Sequence, residues 1–206
     1  MKKIVLFVAA LFTLFIFSGI SQAAEKKADK PVAAKTEASK TIVGLGSVTV
    51  APMGKEVSNP QIRDAEDNPA TIPDFGTHVV GLTYSNTAAS DLGDPLNDAI
   101  KAKNYDKAVY RGLGVANMKD SAAPNFIIRS VIKSKIEKYK ATILTDVDLT
   151  LPKAWGLGDC NDKSVFVLIG KDKKVKYLKF TDKKTPWKSA EINSVINMID
   201  DLLKKK

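Results

Sequence analysis

The alternation of strand-like and helix-like segments between residues 79 and 203 constrains the fold of this chain more than any other feature. Residues 79–84 form a continuous apolar run, which is typical of a buried strand. Further strand-like segments follow at 108–116, 141–144, 165–169 and 174–180. Strands that helices connect pair in parallel, whereas the tight polar turn at 170–173 predicts an antiparallel hairpin. The sequence therefore predicts an α/β domain with a mixed central sheet, helices on both faces, and a C-terminal hairpin plus helix.

Three helices of this domain carry recognisable start signals. Asp94 is predicted to cap the first helix, with Pro95 at its first position. Pro124 and Asn125 open the second helix, and Ser189 is predicted to cap the last one. The apolar residues that fall at helical spacing in the second helix are Ile127, Ile128, Val131, Ile132, Ile136 and Tyr139. We expect these side chains to face the sheet.

The first 40 residues predict export and a linker. Lys2 and Lys3 precede an uncharged apolar run at 4–17, and small residues then lead to Ala23, which is the order of a secretory signal peptide. The apolar run is shorter than the roughly 20 residues of a membrane span, so we expect cleavage, the alternative being an uncleaved anchor. Residues 24–40 form a Lys/Ala-rich flexible linker, and residues 41–206 form the domain, which begins with strand-like segments at 42–50, 61–64 and 70–73. The mature protein is expected to be soluble, periplasmic or otherwise exported, and not stably inserted in the membrane.

The net charge of +9 lies mostly outside the predicted domain body. Lys2 and Lys3 leave with the signal, the linker carries five lysines against three acidic residues, and Lys204, Lys205 and Lys206 end the chain. These segments together account for all but two units of the net charge of +9. A nucleic-acid-binding domain concentrates basic residues in its folded body, so no nucleic-acid partner is expected.

Several motifs of the domain resemble those of peroxiredoxin-like proteins. The segment 143–146 is similar to a strand that ends in aspartate, and 151–157 (LPKAWGL) to the helical turn that follows it. The segment 164–172 (SVFVLIGKD) resembles the superfamily's penultimate strand and turn, and 64–77 its leading segment. Their order is most similar to the YtfJ-like family of periplasmic thioredoxin-fold proteins. The resemblance implies a thioredoxin-like fold over roughly residues 44–203.

The sequence departs from the redox-active members of that superfamily at the site that carries their chemistry. In those relatives a reactive cysteine follows the strand corresponding to 79–84, but here the segment 85–91 reads SNTAASD. Ser164 falls where the relatives have a cis-proline. A dithiol cycle needs two thiols, and Cys160 is the only cysteine of the chain. Dithiol oxidoreductase activity is therefore excluded.

Cys160 remains as a weak candidate for redox chemistry. It lies in a polar loop before Ser164, a loop that approaches the active-site edge in thioredoxin folds, and the flanking aspartates are expected to raise its pKa and to make it inert. No metal site is predicted, because His78 is the only histidine and the aspartates at 146 and 148 lack the pattern of a calcium loop. No serine has a recognisable base, and the glycines near 44 and 112 lack the rest of a dinucleotide motif, so we predict no catalytic residue and no cofactor.

Two classes of function stay open. The favoured class is a non-catalytic binding or accessory module of the cell envelope that recognises a protein or peptide. Its predicted binding residues are Ser85, Asn86, Thr87, Asp91 and Ser164. The alternative is a single-cysteine redox partner that uses Cys160.

Overall fold

The computed structural model describes residues 52–204, so the predicted signal peptide, the linker and the strand at 42–50 lie outside the described residues. The strands are β1 (Ile62–Arg63), β2 (Pro69–Ala70), β3 (Val79–Ser85), β4 (Tyr110–Asn117), β5 (Ile143–Asp146), β6 (Ser164–Ile169) and β7 (Val175–Thr181). The helices are α1 (Asp94–Ala102), α2 (Asn125–Tyr139), α3 (Thr150–Trp155) and α4 (Ser189–Lys204), and a 3₁₀ turn spans Thr87–Ala89. In the described part of the chain, no helix is long and apolar enough to cross a membrane.

All seven strands belong to one sheet with the order β2-β1-β5-β4-β3-β6-β7. The strands β3, β4 and β5 are parallel, and β6 runs antiparallel to both β3 and β7. The hairpin of β1 and β2 extends the other edge, with β1 antiparallel to β5. The predicted mixed sheet with a C-terminal hairpin and helix is confirmed.

Helices cover both faces of the sheet because successive residues of a strand point to opposite sides. In β3, the side chain of Val79 packs with Leu96 of α1 and Val195 of α4. The neighbouring residues Val80, Leu82 and Tyr84 pack on the opposite face with Leu151 and Trp155 of α3. We refer to these two faces as the α1 face and the α3 face. Helix α2 packs through Ile128 and Ile132 on β4 and β5, on the same face of the sheet as α1. This placement is expected because the β3–α1–β4 and β4–α2–β5 connections are both right-handed crossovers and run in the same direction across the sheet.

The starts of two helices differ from the sequence prediction. Gly93, not Asp94, is the N-cap of α1, so Asp94 and Pro95 are its first two helical residues. Ser189 is the first residue of α4, and the N–H group of the preceding Lys188 donates to the Glu191 carboxylate at 3.0 Å. The capping contact at the start of α4 is thus supplied by the Glu191 carboxylate and not by the Ser189 hydroxyl that the sequence predicts.

The inner face of α2 is narrower than the sequence predicted. Ile128 and Ile132 are buried, but Ile127, Val131 and Tyr139 are exposed. Each residue turns a helix by about 100°, so residues four apart lie on the same side of the helix, whereas the residues next to them in sequence point to other sides. The apolar pattern of α2 is therefore wider than the face that the sheet covers.

Candidate functional site

The predicted site lies where β3 ends and the chain turns toward α1. Ser85, the last residue of β3, is directly opposite Ser164, the first residue of β6. Ser164 is in turn opposite Thr181, the last residue of β7. Residues directly opposite in antiparallel strands point to the same face, so three hydroxyl side chains form a row across the sheet. Ser164 and Thr181 are buried, and the Thr181 hydroxyl has no hydrogen-bond partner among the described residues.

The start of α1 rests directly on this row. A Cβ atom at Gly93 would lie 3.0 Å from Ser164 Oγ and 3.0 Å from Thr83 Cγ2, which is closer than ordinary van der Waals contact. A larger residue would force the Ser164 and Thr83 side chains to shift, so glycine suits this close approach of the backbone. Gly93 is thus the residue that packs against Ser164. Gly93 is not among the binding residues predicted from the sequence, although its place directly before the Asp94-Pro95 helix start is a sequence signal for a close approach of the backbone.

Asn86 connects three loops at the end of β3. Its Oδ1 accepts from the N–H group of Ala89 at 3.1 Å, which caps the 3₁₀ turn. Its Nδ2 lies 3.2 Å from the Asp120 carbonyl oxygen, 3.0 Å from Asn161 Oδ1 and 2.9 Å from Asp162 Oδ1. The side chain is buried and fully occupied by these contacts. In this arrangement Asn86 holds the loops together rather than presenting a group to a ligand.

The two other predicted binding residues, Thr87 and Asp91, are exposed. The backbone N–H group of Thr87 donates to Ser121 Oγ, and the Asp91 carbonyl oxygen accepts from the N–H group of Asp94. Burial, Asp98 and Asp91 together raise the pKa of Asp94, against the opposing effect of a nearby lysine. The start of α1 is therefore surrounded by carboxylates, which is an unfavourable environment for a thiolate or another anion.

Cys160 lies on the opposite side of the sheet from Ser164. Its side chain is buried in the core of the α3 face with Tyr84, and its Sγ atom is 3.7 Å from the Gly158 carbonyl oxygen. Burial raises the pKa of the Cys160 thiol to about 12, and the Asp159 carboxylate adds to this effect. The thiol is therefore protonated at neutral pH and removed from the predicted site.

Asp146 lies on the same face of the sheet as Cys160, and its contacts stabilise the fold. Its carboxylate accepts from the N–H groups of Thr150 and Leu151, both at 2.9 Å, and so holds the start of α3. The Tyr84 hydroxyl donates to Asp146 Oδ2 at 3.4 Å, and burial raises the pKa of Tyr84 far above its ordinary value, with the Asp146 charge adding to the effect. The contacts of Asp146 therefore serve the fold.

The acidic side chains and the histidine of the described residues are too dispersed to form a metal site. Within residues 52–204, no group of three or more His, Cys, Asp or Glu side chains is arranged to hold a metal ion. The Nδ1 atom of His78 lies 2.9 Å from Thr77 Oγ1, which gives the ring a local polar contact.

Comparison with solved structures places the fold among thioredoxin-like proteins. A protein from Chlorobium tepidum assigned as the thiol:disulfide interchange protein DsbE is 15% identical, with a TM-score of 0.53 over 73% of this chain and 97% of that one. A protein from Neisseria meningitidis assigned as a thioredoxin is 18% identical, with a TM-score of 0.51 over 73% and 91%. An uncharacterised thioredoxin-like protein from Porphyromonas gingivalis is 12% identical, with a TM-score of 0.51 over 72% and 92%. These identities support a common fold and nothing more.

A comparison with curated proteins found no match. Residues 75–202 match the family described as "Bacterial protein of unknown function (YtfJ_HI0045)". This segment contains β3 to β7 and most of α4, so it includes the row of hydroxyl residues and Cys160. The match confirms the resemblance inferred from the motifs. The chain belongs to the YtfJ_HI0045 family of bacterial proteins and has a thioredoxin-like fold.

Proposed function

We propose that this chain is an exported, non-catalytic binding module of the cell envelope that recognises a protein or peptide at the start of α1. The observation that carries the proposal is the contact of Gly93 with Ser164. In the redox-active relatives that the motifs resemble, the corresponding strand-to-helix connection carries a reactive cysteine. Here a glycine and a serine fill that junction, and the only thiol lies in the other core.

The exposed residues around this junction define the partner's chemistry. Thr87 and Ala88 are exposed on the 3₁₀ turn, and Asp91 and Asp94 lie between this turn and the body of α1. Carboxylates attract cationic groups and accept hydrogen bonds. We therefore expect a peptide segment with a lysine, an arginine or free N–H groups to bind here. The buried residues Asn86 and Ser164 would support the site without forming its contact surface.

The alternative of a single-cysteine redox partner requires the Cys160 thiol to reach another protein. Burial of the side chain and the raised pKa both oppose this, because a reactive cysteine needs access and a thiolate. Nothing in the described geometry favours the alternative over the binding module.

In-cell photo-crosslinking tests the proposed site. A photo-crosslinking amino acid at position 88 is expected to capture an envelope protein or peptide, whereas the same group at Ala154, an exposed alanine of α3, is not. Asp91→Lys should reduce the yield at position 88, and Asp201→Lys on α4 serves as the charge control. Equal capture from positions 88 and 154, or no effect of Asp91→Lys, would remove the support for a binding site at the start of α1.

Export is tested separately by the N-terminal sequence of the protein recovered from cells. Cleavage after Ala23 and recovery in the periplasmic fraction are the expected results. Recovery of the intact chain from the cytoplasm would contradict the envelope part of the proposal while leaving the binding site open to the crosslinking test.

A further inference from the structure

Helix α2 presents an apolar surface that the described part of the chain leaves uncovered. Phe126, Ile127, Val131 and Tyr139 are 73%, 45%, 52% and 53% exposed, although the other side of the helix packs on the sheet. They are four of the five large hydrophobic residues that are exposed between residues 52 and 204. Exposed apolar residues that cluster in this way mark interaction surfaces, whereas single ones need no explanation.

The surface includes a groove along the helix. It is a shallow, open depression lined by residues of α2 alone, namely Ser130, Val131, Ser134, Lys135, Lys138 and Tyr139. Rows of side chains four residues apart form the ridges and grooves through which two helices pack. The small side chains of Ser130 and Ser134 lie beside the row of Val131 and Tyr139, so the backbone of a second helix could approach closely.

The groove carries positive charge, which the Asp94 carboxylate near Lys135 offsets only in part. Lys135 and Lys138 line it, and the Nζ atom of Lys101 on α1 lies 5.7 Å from the centre of the Tyr139 ring. Among residues 52–204, none of these three lysines forms an ion pair. Glu137 is the only acidic residue of α2. A complementary surface therefore needs carboxylates opposite the C-terminal half of α2 and apolar groups opposite its N-terminal half.

We propose that this groove binds an amphipathic helix of a partner protein. Apolar residues of the partner helix cover Ile127 and Val131, and its aspartates or glutamates pair with Lys135 and Lys138. The recognition mode is the packing of one helix against another, with the side-chain ridges of the partner between those of α2. The apolar residues of this surface belong to α2 and not to the segment 85–91, so the inference does not depend on the proposed function, although Lys135 acts on the Asp94 carboxylate at the start of α1.

Other occupants fit these observations less well. Ser134, Lys135 and Lys138 interrupt the apolar surface between Val131 and Tyr139, whereas a helix that lies in a lipid surface has an apolar face along its length. A second copy of the chain would place one set of lysines against another, because a two-fold interface brings the same surface together. An acidic partner helix meets both halves of the groove.

Crosslinking in the full-length protein tests this inference. A photo-crosslinking amino acid at Ser130 or Ser134 is compared with one at Ser194, an exposed serine within α4. The adducts are digested and the captured peptide is sequenced. The inference requires that the captured peptide belongs to another protein and has apolar residues three and four positions apart with acidic residues beside them. It also requires that this peptide is captured from position 130 or 134 and not from position 194. Capture of a second copy or of a peptide without acidic residues, equal capture at position 194, or no adduct would overturn it.

Two sets of variants separate the apolar and the charged contributions. Ile127→Ser combined with Val131→Ser should lower the yield roughly tenfold, because a few apolar anchors carry most of the affinity of such interfaces. Lys135→Gln combined with Lys138→Gln should lower the yield and its sensitivity to salt, whereas Lys183→Gln with Lys184→Gln should do neither. All of these side chains are exposed, so the melting temperatures should stay close to that of the wild type.

Vesicles of phosphatidylglycerol and phosphatidylethanolamine provide the probe for the lipid alternative. The wild type should not sediment with them more than the Ile127→Ser, Val131→Ser variant does. Sedimentation that depends on these two residues would overturn the assignment of a protein partner.

Discussion

Replacing Asn86 by aspartate tests whether this side chain holds the three loops at the end of β3. The substitution preserves shape, and the introduced carboxyl can still accept from the N–H group of Ala89. It removes the amide donor that faces the oxygens of Asp120, Asn161 and Asp162. We therefore expect Asn86→Asp to destabilise the protein, and to do so more at neutral than at acidic pH.

The magnitude follows from two contributions. The protonated carboxyl can donate to only one of the three neighbouring oxygens, so the variant should lose about 1 kcal/mol even at low pH. Ionisation then places an unpaired charge in a buried site beside the Asp162 carboxylate, and breaking a buried polar arrangement in this way costs about 3 kcal/mol more. That energy raises the folded-state pKa of the introduced carboxyl by about 2 units, from ~3.9 to roughly 6.

The sign of the pH dependence follows from this shift. Between pH ~4 and roughly 6 the folded state keeps a proton that the unfolded state has released, so stability falls as pH rises. The slope relative to the wild type approaches about 1.4 kcal/mol per pH unit in this window and vanishes outside it. Asn86→Ala serves as the control, since it removes the same amide without adding a titratable group and should show no such slope.

Urea unfolding followed by tryptophan fluorescence measures these free energies, because Trp155 and Trp187 are both buried in the folded domain. Asn197→Asp, at an exposed position of α4, controls for the general effect of an added carboxylate. If Asn86→Asp changed the stability by less than about 0.5 kcal/mol at pH 7, or if its cost did not depend on pH, the contacts assigned to the Asn86 amide would be wrong.

Three further predictions concern the two cores. Tyr110→Phe should leave stability unchanged or raise it by about 1 kcal/mol, because the buried Tyr110 hydroxyl has no partner among the described residues; a loss of that size in urea unfolding would contradict this. Gly81→Ala should lower the free energy of unfolding by about 1–3 kcal/mol, because the added Cβ would lie 2.1 Å from the Tyr110 hydroxyl. The loss should be smaller in the Tyr110→Phe background, and strict additivity of the two substitutions in a double-mutant cycle would refute this reasoning. Cys160 should react with a thiol reagent at pH 8 only after unfolding, and rapid labelling of the native protein would refute its burial.

Much of the fold could be predicted because each main element has its own local pattern. The apolar run at 79–84 corresponds to β3, and the turn at 170–173 joins β6 to β7 as expected. The limits of β4 and β5 were each placed about two residues too early, since strand ends depend on pairing with neighbours rather than on local apolarity. The short strands β1 and β2 follow the same rule, because the pairing of β1 with β5 and of β2 with β1 defines them.

The site was less predictable because its contacts join distant parts of the sequence. The segment 85–91 and Ser164 were identified, and the pairing of Ser85 with Ser164 brings them together. The packing of Gly93 on Ser164 depends on the position of α1 above the sheet, which local sequence does not encode. The local sequence likewise does not show on which face of the sheet Cys160 lies. Cys160 packs with Tyr84, and Tyr84 and Ser85 point to opposite faces because they are consecutive residues of β3.

The way in which this thioredoxin-like junction is filled bears on its function. A simple exchange of cysteine for serine at a helix start would leave a polar cleft of the same shape. Here the backbone of Gly93 instead sits so close to Ser164 and Thr83 that a Cβ atom would require those side chains to shift. In the binding module that we propose, the partner therefore contacts the exposed rim formed by Thr87 and Asp91. The proposal makes recognition at the start of α1 depend on the charge and hydrogen bonding of that rim, which is why the charge reversal Asp91→Lys is the most direct variant for testing it.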